Sequence, residues 1–277
     1  MLLGTAWGAS IVLQRLAVAE VSPLPLVALA VFVPFAARIV RAVAARPHLV
    51  FHFCVIGALN PVLSGLFTAL ALQRASSGLV AVLRTLSPVW AAALAHLLLR
   101  EEALGRRPLG GLAVALGGVV ILLLTASSGT GAGPTTDVSG LLLALGAPLA
   151  AALGSLYVRQ HLRGTPGLVA AGGQITAACL LVLPVSLIAG QTPVLTEISG
   201  RAWLAILLSG AIGLSAAFVL FVRMIDRRGP TAALLPTYVM PVVATVLGML
   251  VLGETITPPM IAGSVLVLVG VAIYTQN

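Results

Sequence analysis

Pro88-Val-Trp-Ala-Ala-Ala-Leu-Ala-His-Leu-Leu-Leu-Arg-Glu101 and Pro241-Val-Val-Ala-Thr-Val-Leu-Gly-Met-Leu-Val-Leu-Gly-Glu254 open two copies of one pattern. Over 88–117 and 241–270, at a constant offset of 153 and without a gap, ten of thirty positions are identical. Matches of Leu, Val and Ala weigh little in a chain so rich in them. Pro88/Pro241, Glu101/Glu254, Gly110/Gly263 and Gly117/Gly270 weigh more, because Glu is rare here and the glycines keep their spacing. An internal repeat in a membrane chain points to two related halves with a solute site between them.

The composition is that of a membrane protein. Hydrophobic residues make up 60% of the 277 and charged residues 8%, far from the soluble mix. A soluble domain of this length has too little interior to hide that much apolar surface. Cys54 and Cys179 lie in apolar stretches as small hydrophobes, with no disulfide framework and no metal-ligand spacing. No phosphate-binding loop is present, so no ATP engine, and neither a cofactor nor a catalytic group is expected. The net charge of +8 comes from fifteen arginines and no lysine. They punctuate the apolar segments, which fits orientation in a bilayer better than binding of nucleic acid. Arg without Lys, beside abundant Ala, Gly and Leu, is the usage of a GC-rich prokaryote, so the expected location is a bacterial cytoplasmic (inner) membrane.

A span needs about 20 apolar residues. Ten fit: 2–20, 23–43, 49–72, 76–99, 107–126, 138–160, 167–190, 202–225, 230–252 and 258–275. The stretch Leu2 to Ala19 ends in Ala17-Val-Ala19, like a secretory signal. It lacks a positive start and is interrupted by Gln14 and Arg15, so it reads as the first span. The longest polar break, Ser127 to Asp137, is a Gly/Ser/Thr/Pro linker that divides the chain into five spans and five. Five is odd, so the second half enters the bilayer from the opposite side. The expected fold is all-α integral membrane: ten helices as two inverted five-helix repeats, 1–126 and 138–277, joined by 127–137. With both termini cytoplasmic, eleven arginines fall inside, Arg74 and Arg201 fall outside, and Arg15 and Arg84 lie within spans. That agrees with the positive-inside rule.

Pro88 and Pro241 each remove a helical hydrogen bond and kink their helix, placing the fourth and ninth helices at a central cavity. Arg84 stands eight residues from Ser76, roughly 12 Å deep at 1.5 Å per residue, near the middle of a ~30 Å core. A central Arg costs about 2.5–3.5 kcal/mol on insertion scales, so it should face a wet cavity or a partner. Its planar fork suits a carboxylate or phosphate; the structural alternative is a side chain that caps carbonyls freed by Pro88. The repeat pairs Arg84 with Thr237 and Thr85 with Tyr238, which should meet Arg84 near the midplane. Trp90, Tyr157, Asn60, Ser64 and Gln174 supply further polar atoms within spans, as helix glue or as the sparse polar lining of a solute site. Arg15 is within reach of Glu20 as an interfacial anchor. His52 and His96 lie toward cytoplasmic helix ends. Glu101 and Glu254 end helices and can pair with loop arginines. Gly110/Gly117 and Gly263/Gly270 recur every seven residues, each pair offering one small face for close packing.

The stretch Leu86 to Glu101 with Gly110 and Gly117, its partner beginning at Pro241, Trp7-Gly8 in the first span and Ala69-Leu70 before the fourth together resemble the drug/metabolite transporter superfamily, EamA-type branch. The resemblance covers essentially the whole chain. It implies ten helices, two inverted repeats and secondary transport of a small metabolite, often amino-acid export; it adds Trp7 to the solute-binding residues and implies a homodimer contact through the fifth and tenth helices. Arg100 departs from the Gly usual before the first-repeat Glu, and Arg84 is not a general feature of the family.

All seven acidic residues lie at span ends or in loops. A proton relay or a cation-selective drug exporter would need a carboxylate within the membrane, so a small carboxylate-bearing solute fits better than a broad-specificity drug cation. A lipid-modifying membrane enzyme, the rival from another class, would show clustered Asp, Glu or His at an interface, and no such cluster is visible.

Overall fold

A computed structural model describes residues 2–32, 47–99, 106–127, 137–162, 164–165, 167–188, 190, 197–217, 220 and 239–275. Among these the chain forms ten helices and no strand. They are α1 (Leu2–Ala17), α2 (Pro23–Phe32), α3 (Val50–Leu72), α4 (Ser77–Arg84 and Ser87–Leu99), α5 (Arg106–Ser127), α6 (Val138–His161), α7 (Gly167–Ile188), α8 (Gly200–Leu208 and Ser209–Ala216), α9 (Val239–Leu252) and α10 (Pro258–Thr275). By length and composition α3, α6 and α7 can each cross a membrane. Large apolar side chains cover the outside of the bundle, Leu250 at 77% exposure and Leu180 at 69% among them. In water such a surface would aggregate; in hydrocarbon it is solvated.

The repeat-related helices α5 and α10 pack against each other. Gly118 approaches Gly263, whose carbonyl oxygen would lie 2.6 Å from a Cβ added at 118, and Gly270 lies against Gly111 and Ala115. Residue numbers rise on one helix as they fall on the other, so the two run antiparallel. Backbones this close need glycine, since any side chain would occupy the neighbour's space. In α10 the small face is the expected one, Gly263 and Gly270. In α5 it is displaced by one position: Gly110 and Gly117 are exposed with nothing within 4 Å, and Gly111, Ala115 and Gly118 make the contact. Seven residues fall about 20° short of two turns at 3.6 residues per turn, so either stripe is nearly straight, and spacing does not choose between neighbours. The pairing is internal to one chain. It leaves Leu116, Val120, Val265 and Val269 outward, the surface that a second copy would have to use.

Helices α3 and α8 share a feature invisible to apolar periodicity. Each contains a π-helical stretch, Ala58–Ser64 and Ser209–Ala216. The 153-residue offset carries the first onto the second to within two residues. In α3 the cause is Pro61, which has no N–H for the regular ladder. In α8 nothing so simple appears, but α1 braces the stretch: Trp7 Nε1 donates to the Gly213 carbonyl (3.2 Å) and Ser10 Oγ to that of Ser209 (3.3 Å).

One end of the bundle is closed by three ties between residues before and after the linker. Asp137 caps α6 by accepting from Gly140 N (2.7 Å) and Ser139 Oγ (2.7 Å), and Arg74 donates to that hydroxyl (2.8 Å). Glu20 accepts from the Ser199 N–H (2.9 Å) and hydroxyl (2.8 Å) at the start of α8. Gly253, at φ +66°, ends α9 in the left-handed turn that glycine adopts without strain. The turn brings the Glu254 carboxylate onto the first N–H of α4, Ser77 N at 2.9 Å, and onto its hydroxyl at 2.7 Å. A negative charge at a helix N-terminus is stabilising in its own right. Arg15 also lies 4.0 Å from this carboxylate. So Arg15 is paired with Glu254 rather than Glu20, and Glu254 with a helix start and a span arginine rather than a loop. Ser77 and Glu254, separated by 177 residues along the chain, could not be paired from local spacing.

Three outcomes test this packing. Gly270→Ala should cost about 1–3 kcal/mol, as overpacking does, while Gly117→Ala should change little; equal effects in thermal unfolding would contradict the assigned faces. Glu254→Ala should cost about 1–2 kcal/mol through the lost cap and hydrogen bonds, read by the same measurement. Hydrogen bonds from the Ser199 backbone and hydroxyl hold the Glu20 carboxyl below its usual range, and those from Ser139 and then Gly140 do the same for Asp137. A depressed carboxyl stabilises the fold above its unfolded value and loses that contribution as pH falls through the folded one. Acid should therefore loosen this end, and Asp137→Asn should flatten the acid limb of the stability profile.

Candidate functional site

The fourth helix is broken where its sequence puts a proline after Ser87. Pro88 has no N–H, so the Arg84 carbonyl loses its regular partner four residues on. The Ser87 hydroxyl takes its place, donating to Arg84 O at 2.8 Å. The two residues between tighten into three-residue turns, Thr85 N to Val82 O (3.0 Å) and Leu86 N to Leu83 O (3.1 Å), and regular bonding resumes with Trp90 N to Leu86 O (3.0 Å). The freed carbonyl is thus satisfied by its neighbour. The Arg84 side chain is not needed as its cap.

Arg84 instead ends the first segment of α4, about 12 Å along at 1.5 Å per residue, and reaches across to α3. Its Nη1 donates to Thr68 Oγ1 at 2.5 Å, and that hydroxyl donates to the Ser64 carbonyl at 2.8 Å. Arg84 is partly buried where it crosses from α4 to α3. Among the described residues no carboxylate pairs with it. Glu254 serves Ser77 and Arg15, Glu20 serves Ser199, and Asp137 serves Ser139 and Gly140. An isolated cation within a span is costly.

Asn60, Ser64 and Thr68 follow one another at four-residue spacing along α3 and form a polar row leading to Arg84. Four residues of regular α-helix drift by about 40°; the wider π turn over 58–64 winds part of that drift back and keeps the row on one side. Asn60 Nδ2 meets the buried Gln174 of α7 at 3.5 Å. Trp90 follows the helix break and packs, partly buried, against the main apolar core. Trp7, also partly buried there, has its indole N–H engaged by Gly213.

Tyr157 is not deep in its helix, as the sequence reading expects, but one turn from the end of α6. There its hydroxyl meets His52 Nδ1 at 2.9 Å and its ring stacks on His161 with centroids 4.2 Å apart. It belongs to the mouth opposite the Glu254 end and not beside Arg84. Thr237 and Tyr238 lie outside the described residues. Pro241 lines a cavity of about 250 Å³ bounded by α4, α9 and α10, together with Gly78, Val82, Thr245, Glu254 and Ser264. Arg84 and Trp90 are not in its lining. Its wall includes the exposed Val242, Val246, Ile261 and Val265, so it opens on the lipid-facing surface.

Thr68 is the site residue that sequence reasoning passes over. Its signal was available: a polar group at the next four-residue step after Asn60 and Ser64, beside the proline that deforms the helix.

A scan against protein families matches the EamA-like transporter family over residues 1–124 and again over 138–276. A WAT1-related chloroplast protein of Arabidopsis thaliana is 27% identical over 215 residues, 76% of this chain and 51% of that protein. The chain thus spans about half the length of this relative. Protein PecM of Dickeya dadantii is 27% identical over 218 residues, 77% of this chain and 69% of PecM. One solved crystal structure superposes with a TM-score of 0.62, covering 99% of this chain and 98% of that one at 21% identity, a likeness of fold. Two matches to one family model, covering nearly every residue of an apolar bundle whose described residues form no strand, make this chain a multi-pass membrane protein and a member of the EamA-like transporter family.

Proposed function

We propose that the protein is a secondary transporter that exports a small carboxylate-bearing metabolite across a bacterial inner membrane by alternating access. The halves 1–126 and 138–277 are inverted repeats with both termini cytoplasmic, and they rock about a site at the break in α4. Antiparallel α5 and α10, and π stretches matched by the repeat offset, support the inversion. The ties at Glu254, Glu20 and Asp137 join the halves at the outer end and must open in turn with the inner mouth at Tyr157.

The single observation that carries the reading is Arg84, partly buried in the bundle without a carboxylate partner among the described residues. A solute carboxylate neutralises it during passage. Asn60 and Trp90 line the approach, Pro88 and Pro241 shape the space between, and the repeat adds Thr237 and Tyr238 to the solute-binding set as the counterparts of Arg84 and Thr85. Trp7 holds the second π stretch in place from α1. A broad exporter of cationic drugs would need an anionic centre where this chain has a cation.

Arg84→Ala should abolish flux in proteoliposomes while leaving folding intact, since it removes a charge costing about 2.5–3.5 kcal/mol to insert. Arg84→Lys should restore only part of the flux, because an ammonium keeps the charge and loses the two-pronged fork. Unchanged flux in the Ala variant would remove Arg84 from the site, and its unfolding would make the residue structural. For topology, a cysteine placed in the 127–137 linker should react with an impermeant maleimide from outside the cell; reaction from the cytoplasmic face alone would contradict the orientation.

A further inference from the structure

We infer that Ser64 is a second binding group of the Arg84 site and that the site takes a monoanionic carboxylate in preference to a zwitterion or a phosphate. The inference rests on the reading of Arg84 as the solute anchor and assigns a partner to it.

Ser64 is 2% exposed, and among the described residues its Oγ is the buried side-chain polar atom that has no hydrogen-bond partner. Buried hydroxyls in helices ordinarily return to their own backbone. Others here do so: Thr68 to Ser64 O (2.8 Å), Ser209 to Ile206 O (2.9 Å) and Thr85 to Val82 O (2.6 Å). Ser64 is the last residue of the π stretch, where the helix returns to regular bonding, and its hydroxyl does not take that fallback. Two hydrogen bonds through Thr68 separate its carbonyl from the Arg84 guanidinium, so the two residues are neighbours.

Thr68 spends its oxygen on both sides, accepting from Arg84 and donating to Ser64 O. It is a positioning residue that fixes the guanidinium. What remains to offer is the unused N–H edge of Arg84 and the Ser64 O–H. A planar carboxylate accepts from both, one oxygen on the fork and one on the hydroxyl. The charge balance sets the class of solute. One guanidinium neutralises one negative charge, whereas a phosphate monoester carries about 1.5 to 2 at pH 7 and leaves an excess in the membrane. A zwitterion brings an ammonium, and of the described carboxylates Glu20, Asp137 and Glu254 are committed at helix ends while Glu197 is exposed ahead of α8.

The test uses the purified full-length chain in detergent and ligands of one body with four head groups: phenylacetate, phenylacetamide, phenylalanine and phenyl phosphate, with acetate to octanoate as a size series. Monocarboxylates should raise the unfolding temperature of the wild type, the amide should not, and the zwitterion and phosphate should bind at least tenfold more weakly. Ser64→Ala should weaken carboxylate binding about tenfold, the lower range for a hydrogen bond to a charged group. The same variant without ligand should be as stable as wild type or more so, since it removes an unsatisfied buried hydroxyl. Thr68→Val should weaken binding less than Arg84→Gln. If Arg84→Gln loses binding and Ser64→Ala keeps it, the inference falls and the Arg84 reading stands. If Arg84→Gln binds like wild type, both fall. Equal affinity for the amide, phenylalanine or phosphate, or no response to any carboxylate, overturns the assigned class.

Discussion

The hydrogen bond from Arg84 to Thr68 holds a full positive charge between two helices of a bundle whose outer surface is hydrocarbon. Hydrogen-bonded to one hydroxyl and partly buried, the guanidinium needs polar surroundings that an ideal apolar helix does not provide. Both helices that flank it are irregular where it lies. α4 breaks at Thr85 and Leu86, and α3 carries its π stretch just before Thr68. Two prolines cause this, Pro88 by freeing the Arg84 carbonyl and Pro61 by disturbing the ladder of α3. The α4 break is satisfied locally by Ser87, and α3 presents the Thr68 hydroxyl to the charge; irregular helices at membrane depth are tolerated where protein surrounds them.

Around that site the helices pack closely. Glycines let α5 and α10 run against each other, and the carboxylates at one end of the bundle tie segments that are 65 to 179 residues apart. These ties are few, polar and exposed or part-buried, so each is weak beside an apolar core. Weak ties at an end and firm packing along a helix pair suit the proposed rocking of two halves: a contact that can break beside one that does not.

Much of this was legible in the sequence. Composition and span length specify a membrane bundle, and the matched Pro, Glu and Gly specify the repeat. Arginine placement gives a topology, and the depth of Arg84 singles it out. What spacing does not reveal is partnership. Glu254 has Arg15 and Ser77 as partners because Gly253 turns left-handed, a conformational fact about one residue with distant consequences. Gly118 and not Gly117 meets α10 because the azimuth of a helix is set by its neighbours. Tyr157 reads as a span residue, but it sits one turn from the helix end and is drawn to His52 and His161. The π stretches escape a search for 3.6-residue periodicity altogether, and so does the role of Thr68, which depends on one of them.

The central claim is that Arg84 is the anchor of the solute. A structure of the protein loaded with the tightest-binding monocarboxylate tests it most directly. The account predicts the carboxylate in hydrogen-bond contact with the Arg84 guanidinium, beside the break in α4. An anion bound elsewhere in the bundle, with Arg84 still donating to Thr68 alone, would contradict it.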